Sequence, residues 1–101
     1  DVINTGGVLV ASREVEDALY THPKVAEVAV IGTPDDRWIE AITAFVVVKG
    51  ADPVNPADLI AYTKTRLAGF KVPKKVLLVD ELPRNASGKL LKRVLRDQLE
   101  A

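Results

Sequence analysis

The sequence predicts an α+β fold: a small three-stranded sheet with packed helices and an N-terminal β-hairpin. Three observations predict it. Short runs rich in β-branched residues alternate with segments whose apolar residues recur at helical spacing. Two of the helical segments open on recognisable cap residues, Ser12 and Asn55. A glycine pair, Gly6-Gly7, separates two short apolar runs near the start, as a tight hairpin requires.

Residues 2–10 read as the hairpin, turning at the glycines. Ser12 is placed to cap a helix running to about Tyr20, with Glu14 in its first turn. Val15, Ala18 and Leu19 give that helix an apolar stripe, and Pro23 ends it. Residues 25–31 form a short, mostly apolar run and hence a strand. Residues 32–36 read as a loop. Residues 42–48 are β-branched and apolar on both faces, which predicts a central strand.

Residues 50–53 read as a turn. Asn55-Pro56-Ala57-Asp58 is a helix start: a cap, proline in the first position and a carboxylate at the third. Leu59, Ile60, Thr63 and Leu67 line one side, and Gly69 suits a C-terminal cap. Residues 76–79 form the third strand. A last helix is expected from near Ser87, with Leu90, Leu91, Val94, Leu95 and Leu99 on one face and Lys92, Arg93 and Arg96 on the other.

Composition narrows the function. One domain fits the 101 residues, which suffice for a single core but not for a large enzyme with its own deep cleft. Cysteine is absent and His22 is the one histidine, so disulfides, thiolate sites and histidine-rich metal sites are excluded; no metal site is expected. No apolar run approaches the ~20 residues of a membrane span. No signal peptide is visible, and a start at Asp1 without methionine suggests a piece of a longer protein. The net charge of zero hides an asymmetry. Residues 1–63 carry four Lys and Arg against ten Asp and Glu; residues 64–101 reverse this with ten against four. Ordinary surface charge explains the pattern more simply than a phosphate-binding face. The basic residues lack interleaved aromatics, so no nucleic-acid partner is expected.

The segment Leu82-Pro83-Arg84-Asn85-Ala86-Ser87-Gly88-Lys89 stands out. It sets Lys89 at the mouth of the expected last helix. Helix N-termini favour anions by roughly 0.3–1 kcal/mol per charge, so a cation there points to an anionic ligand. Other segments carry two readings each. Gly6-Gly7 is a turn, or a place where backbone passes close to a ligand. It matches neither the dinucleotide fingerprint nor a P-loop. Trp38 is a packing anchor, which the sequence favours, or a platform for a nucleobase. Phe70 among Lys71, Lys74 and Lys75 is a solvated connector, or a loop that docks phosphate and base. Asn85-Ala86-Ser87 fits a glycosylation sequon but adjoins a helix start, and His22 is expected to cap a helix end.

Together these segments resemble the C-terminal domain of the adenylate-forming superfamily: acyl-CoA synthetases, peptide-synthetase adenylation domains and luciferases. The carrying residues are Asp1 to Gly7 with Arg13-Glu14-Val15-Glu16, then Gly32-Thr33-Pro34-Asp35-Asp36-Arg37-Trp38. Phe70-Lys71-Val72-Pro73-Lys74 and Pro83 to Lys89 complete the series. The resemblance covers essentially the whole chain, 1–101, as the mobile lid domain of a ligase. It implies an N-terminal domain, and a hinge residue just before Asp1, that lie outside the sequence. It also implies two steps: a carboxylate attacks ATP to give an acyl-adenylate and pyrophosphate, and a thiol such as coenzyme A then takes the acyl group. The domain turns between them.

Lys89 is then the adenylation lysine, steadying charge at the α-phosphorus. Gly6 and Gly7 flank the pantetheine arm. Trp38 and Phe70 contact the CoA nucleotide, Lys74 meets its phosphate, and with Val72 in place of a basic residue the phosphate clamp rests on Lys71, Lys74 and Lys75. The magnesium ion that accompanies ATP is expected mainly outside this segment. Two departures stand out. Val8-Leu9 and Ala11-Ser12 replace the usual Glu-Asn and aromatic-proline, and Val72 replaces a basic residue found in some relatives.

The first reading is an acyl-CoA synthetase for fatty or related acids, since the Asp35, Trp38, Glu40 pattern resembles CoA ligases more than peptide-synthetase domains. The alternatives are an adenylation domain that loads a carrier protein, or a non-catalytic interaction module, against which Lys89 argues. The isolated segment is expected to be inactive. The resemblance also implies a cytoplasmic enzyme, and a lysine acyltransferase that acts on Lys89 as a possible partner.

Overall fold

A computed structural model describes residues 2–51 and 53–100. Five strands and three helices follow in the order β1 (Val2–Thr5), β2 (Val8–Ala11), α1 (Ser12–Tyr20), β3 (Val25–Asp35), β4 (Ile39–Val48), α2 (Pro56–Lys64), β5 (Lys75–Leu78) and α3 (Lys92–Glu100). A 3-10 turn, Gly69–Lys71, precedes β5. The expected turn at residues 50–53 includes Asp52, which lies outside the described residues.

The sheet is larger than the three strands expected, because the hairpin joins it. The order is β2-β1-β4-β3, with β5 also paired to β4. β1 meets β4 at one pairing, Thr5 with Ile39. β5 runs parallel to β4 along Thr43 to Val46. β4 is therefore central, as its two-sided apolar pattern predicts.

Alternation along the strands builds two cores. Val28 and Val30 of β3, with Ile42, Ala44 and Val46 of β4, pack with Val15 and Leu19 of α1 and Leu59 of α2. Ala29, Ile31 and Phe45 pack with Leu82 and with Leu95 of α3. The helices thus form layers on opposite faces of one sheet.

The boundaries differ from expectation where side chains are recruited elsewhere. Ser12 does not cap α1. It is the first helical residue, buried, and its Oγ accepts from Lys92 Nζ at 3.2 Å. Asn55 does cap α2, accepting from the Ala57 N–H at 2.9 Å. That helix stops at Lys64, and Gly69 opens the 3-10 turn rather than capping it. The loop expected at residues 32–36 is mostly strand, since β3 pairs with β4 as far as Asp35 opposite Ile39.

Lys92, on the helix face opposite the leucines, is drawn inward. Its ammonium lies 3.0 Å from Glu16 Oε2, and both side chains are less than one-fifth exposed. Glu16 Oε2 also accepts the Val30 N–H at 2.9 Å, and the Tyr20 hydroxyl accepts the Val28 N–H at 3.2 Å. α1 thus satisfies the outer edge of β3, which would otherwise offer free donors to another strand. His22 accepts the Lys24 N–H at 3.1 Å through Nδ1 and stands edge-on to Tyr62.

Among the described residues, Ile39 is the one non-glycine with positive φ, 70°. A left-handed conformation costs an L-residue about 1–2 kcal/mol. Its side chain is 58% exposed, so burial does not offset that cost. Ile39→Gly relieves the strain and loses about 0.5–1 kcal/mol to glycine's backbone entropy. We expect a net gain of up to about 1 kcal/mol, seen as a Tm raised by a few degrees. An unchanged or lower Tm counts against strain at this position.

Candidate functional site

The hairpin turn is built as two adjacent glycines permit. Gly6 and Gly7 have φ of 69° and 99°, the pair of positive values that a two-residue turn matching strand twist demands. The Gly7 N–H donates to Asn4 Oδ1 at 2.8 Å, and the Thr5 hydroxyl donates to the Val8 carbonyl at 3.1 Å. A Cβ on Gly6 would stand 3.6 Å from Trp38 Cε3, so the turn lies against the indole.

Trp38 is itself held by the β3–β4 turn. Asp35 Oδ1 accepts the N–H groups of Arg37 and Trp38, at 2.8 and 3.0 Å. The half-buried indole lines a cavity of about 230 Å³ with Thr5, Glu40, Ile42, Gly69, Phe70 and Lys74. The Lys74 ammonium lies 5.0 Å from the indole centroid, and the Arg37 guanidinium 5.1 Å. The Lys74 N–H donates to the Ile42 carbonyl at 2.9 Å, which ties the loop to β4. Aromatic and aliphatic walls with cations beside them suit a flat, partly apolar anion such as a nucleotide.

Lys71 stands apart from this cavity. Its ammonium donates to both oxygens of Glu14 at 2.7 Å and lies 5.5 Å from the Phe70 ring centroid. The pair pins the 3-10 turn to α1, and with it Phe70. Lys71 therefore anchors the wall of the cavity, while Lys74 lines it.

Glu40 is a residue that reasoning from sequence treated only as part of a pattern. Its Oε1 accepts the Asn4 N–H at 2.9 Å, fastening β1 to β4. A Cβ on the buried Gly32 would fall 2.6 Å from Glu40 Oε2 and 3.1 Å from Ile3 Cγ2. Gly32 is thus the glycine that close approach requires, and an isolated glycine in a strand is the signal that could have found Glu40. Hydrogen bonds to charged groups contribute about 1.5–3 kcal/mol. Glu40→Ala is expected to lower stability by about 1–2 kcal/mol after discounting for partial exposure. Chemical denaturation of the variant and of Glu40→Gln checks this, since the glutamine keeps an acceptor and should lose less than half as much.

The segment bearing Lys89 is not a helix entrance. α3 begins at Lys92. Arg84 and Leu90 form an antiparallel bridge, and the Leu91 N–H donates to the Pro83 carbonyl at 2.9 Å. Between them the chain makes a tight loop. Asn85 Oδ1 accepts the Ser87 N–H, the Ser87 hydroxyl and the Lys89 N–H, at 3.0, 3.0 and 2.9 Å. Asn85 captures the amides that a helix would have used, and the Ser87 hydroxyl is spent on Asn85. The expectation of a lysine set against a helix dipole is therefore overturned: Lys89 rides an exposed loop.

Arg84 ties that loop to the sheet. Nη1 donates to the Gly88 carbonyl at 3.0 Å, and Nη2 to Glu27 Oε1 at 2.6 Å. Glu27 pairs with Val47, whereas the cavity residues Glu40 and Ile42 pair with Pro34 and Gly32. The Lys89 loop and the cavity thus sit toward opposite ends of the β3–β4 ribbon. At about 3.3 Å per residue they lie roughly 20 Å apart along it. Among the described residues no group of three or more His, Asp or Glu could hold a metal, and no helix is long and apolar enough to cross a membrane.

Comparison with known proteins accords with this geometry. Residues 14–89 match the family model for the AMP-binding enzyme C-terminal domain. The chain is 46% identical over 101 residues to a long-chain-fatty-acid–CoA ligase, FadD13, of Mycobacterium tuberculosis, covering all of this chain and 20% of that protein. It is 44% identical over 100 residues to a 2-succinylbenzoate–CoA ligase of Bacillus cereus, covering 99% of this chain and 20% of that one. The crystal structure of ATP-bound MatB from Rhodopseudomonas palustris superposes with a TM-score of 0.95 at 40% identity, over 99% of this chain and 20% of that chain. The chain spans about a fifth of the length of the relatives it matches. With the family model spanning Trp38, Phe70, Lys74 and the Lys89 loop, the chain belongs to the AMP-binding enzyme C-terminal domain family.

Proposed function

We propose that this chain is the mobile C-terminal domain of an ATP-dependent acyl-CoA synthetase acting on fatty or related acids. The whole protein adenylates a carboxylate and then forms a thioester with coenzyme A. The observation that carries this reading is the separation of two anion-suited places on one rigid sheet, the Lys89 loop and the Trp38 cavity. A domain with one working face at each end can serve two steps by turning.

In this reading Lys89 meets the carboxylate and phosphate oxygens during adenylation. Its ammonium stabilises charge that grows as the acyl–oxygen–phosphorus bond forms and pyrophosphate leaves. Trp38 and Phe70 hold the CoA nucleotide, Lys74 neutralises its phosphate, and Gly6 and Gly7 flank the pantetheine arm. Lys71, committed to Glu14, serves by fixing Phe70. The magnesium ion that accompanies ATP would be bound mainly outside this segment. The expected compartment is the cytoplasm, where ATP and coenzyme A are supplied together.

The test is substrate-dependent ATP–pyrophosphate exchange by the full-length protein over short, medium and long fatty acids and aryl acids, followed by addition of free CoA. Exchange with thioester formation supports the reading. Exchange without transfer to free CoA would assign a carrier-protein acceptor instead, and no exchange with any acid sinks the proposal.

Acylation of the exposed Lys89 by a lysine acyltransferase removes its charge and is expected to switch adenylation off. Mass spectrometry of protein from its native host is the check. Lys89 found unmodified across growth conditions dismisses this control.

A further inference from the structure

We propose that Asn85 is a positioning residue for Lys89. Its side-chain oxygen fixes the backbone from which the lysine projects, and so governs adenylation without touching substrate. The proposal rests on the reading of Lys89 given above and extends it to a second side chain.

Every residue from Arg84 to Lys89 is exposed, so no apolar packing orders this loop. Ordering a residue costs about 1–2 kcal/mol of backbone entropy, which something local must offset. Asn85 supplies it. One oxygen gathers three donors across residues 87–89, while the Asn85 N–H donates to the Lys89 carbonyl at 2.9 Å. The Gly88 N–H donates back to the Asn85 carbonyl at 2.9 Å, and the resulting turn needs Gly88 at φ 84°. Lys89 is therefore held at both its N–H and its carbonyl by a single residue.

The Lys89 ammonium has no hydrogen bond or ion pair among the described residues. Its side chain is thus aimed only by where its backbone stands. Arg84, bonded to the Gly88 carbonyl and to Glu27, carries the loop on β3 but leaves Lys89 itself to Asn85. A reacting group misplaced by about 1 Å can cost on the order of 100-fold in rate.

The experiment uses the full-length enzyme with Asn85→Ala, Asn85→Asp and Lys89→Ala side by side. Two rates are read for each: pyrophosphate exchange, and CoA thioester formation from supplied acyl-adenylate. For Asn85→Ala we expect exchange to fall roughly 10–100-fold in kcat, with little change in the KM for ATP and thioester formation within about twofold of the parent. Asn85→Asp keeps an oxygen able to accept the same bonds and should recover most of the exchange. Equal loss of both half-reactions in Asn85→Ala marks a merely structural role and overturns the proposal. So does exchange retained in Asn85→Ala while Lys89→Ala abolishes it, or an Asn85→Asp as impaired as the alanine. If Lys89→Ala itself leaves exchange intact, the reading of Lys89 fails first and the role of Asn85 falls with it.

Discussion

Lys89→Ala in the full-length enzyme is expected to cut pyrophosphate exchange by roughly 100–1000-fold, the usual loss when one preorganised donor to developing charge is removed. Thioester formation from supplied acyl-adenylate should survive. The reason is spatial: the Lys89 loop is tied to Glu27 near one end of β3, while the cavity residues pair toward the other end. The loop is exposed and α3 begins beyond it, so deleting the side chain disturbs no core. An unchanged melting temperature would confirm that the loss is chemical. Survival of both half-reactions would remove Lys89 from the mechanism.

Trp38→Ala should give the mirror image. Stacking of a base on an aromatic contributes about 1–3 kcal/mol, so the KM for CoA is expected to rise roughly 10-fold or more with pyrophosphate exchange retained. Lys74→Ala should raise the same KM by a smaller factor that shrinks further in high salt, since an exposed charge is screened. Lys71→Ala makes the sharper comparison. Its ammonium is bonded to Glu14 and does not line the cavity, so its effect on the KM should be weaker than that of Lys74 and insensitive to salt. A Lys71 effect equal to that of Lys74 would place both lysines on the phosphate. If Trp38→Ala leaves the KM for CoA unchanged, the cavity is not the nucleotide site.

How legible each part was follows from the range of the forces involved. The hairpin at Gly6-Gly7, the Asn55 cap and the two-faced β4 were readable because each is set within a few residues. The five-strand sheet was not, since β1 joins β4 through one pairing between residues 34 apart in sequence, Thr5 and Ile39. Lys92 shows the same limit. Helical periodicity put it on the face opposite the leucines, and only Glu16 and Ser12, far away in sequence, draw it inward. The error at Lys89 was different. Ser87 looked like a helix cap, but Asn85 two residues earlier took both its hydroxyl and its amide. Two short polar side chains competed for one set of donors, and position alone did not say which would win.

By itself the sequence determined the class of fold, the excluded chemistries and the segments that carry the family pattern, because composition, periodicity and spacing are properties of the chain. Only the tertiary structure decided what those segments do beside one another. It brought Thr5, Trp38, Phe70 and Lys74 to one cavity, gave Lys71 to Glu14, and set the Lys89 loop at the far end of the ribbon. These are contacts between residues tens of positions apart. They depend on how sheet and helices pack, which no local pattern encodes.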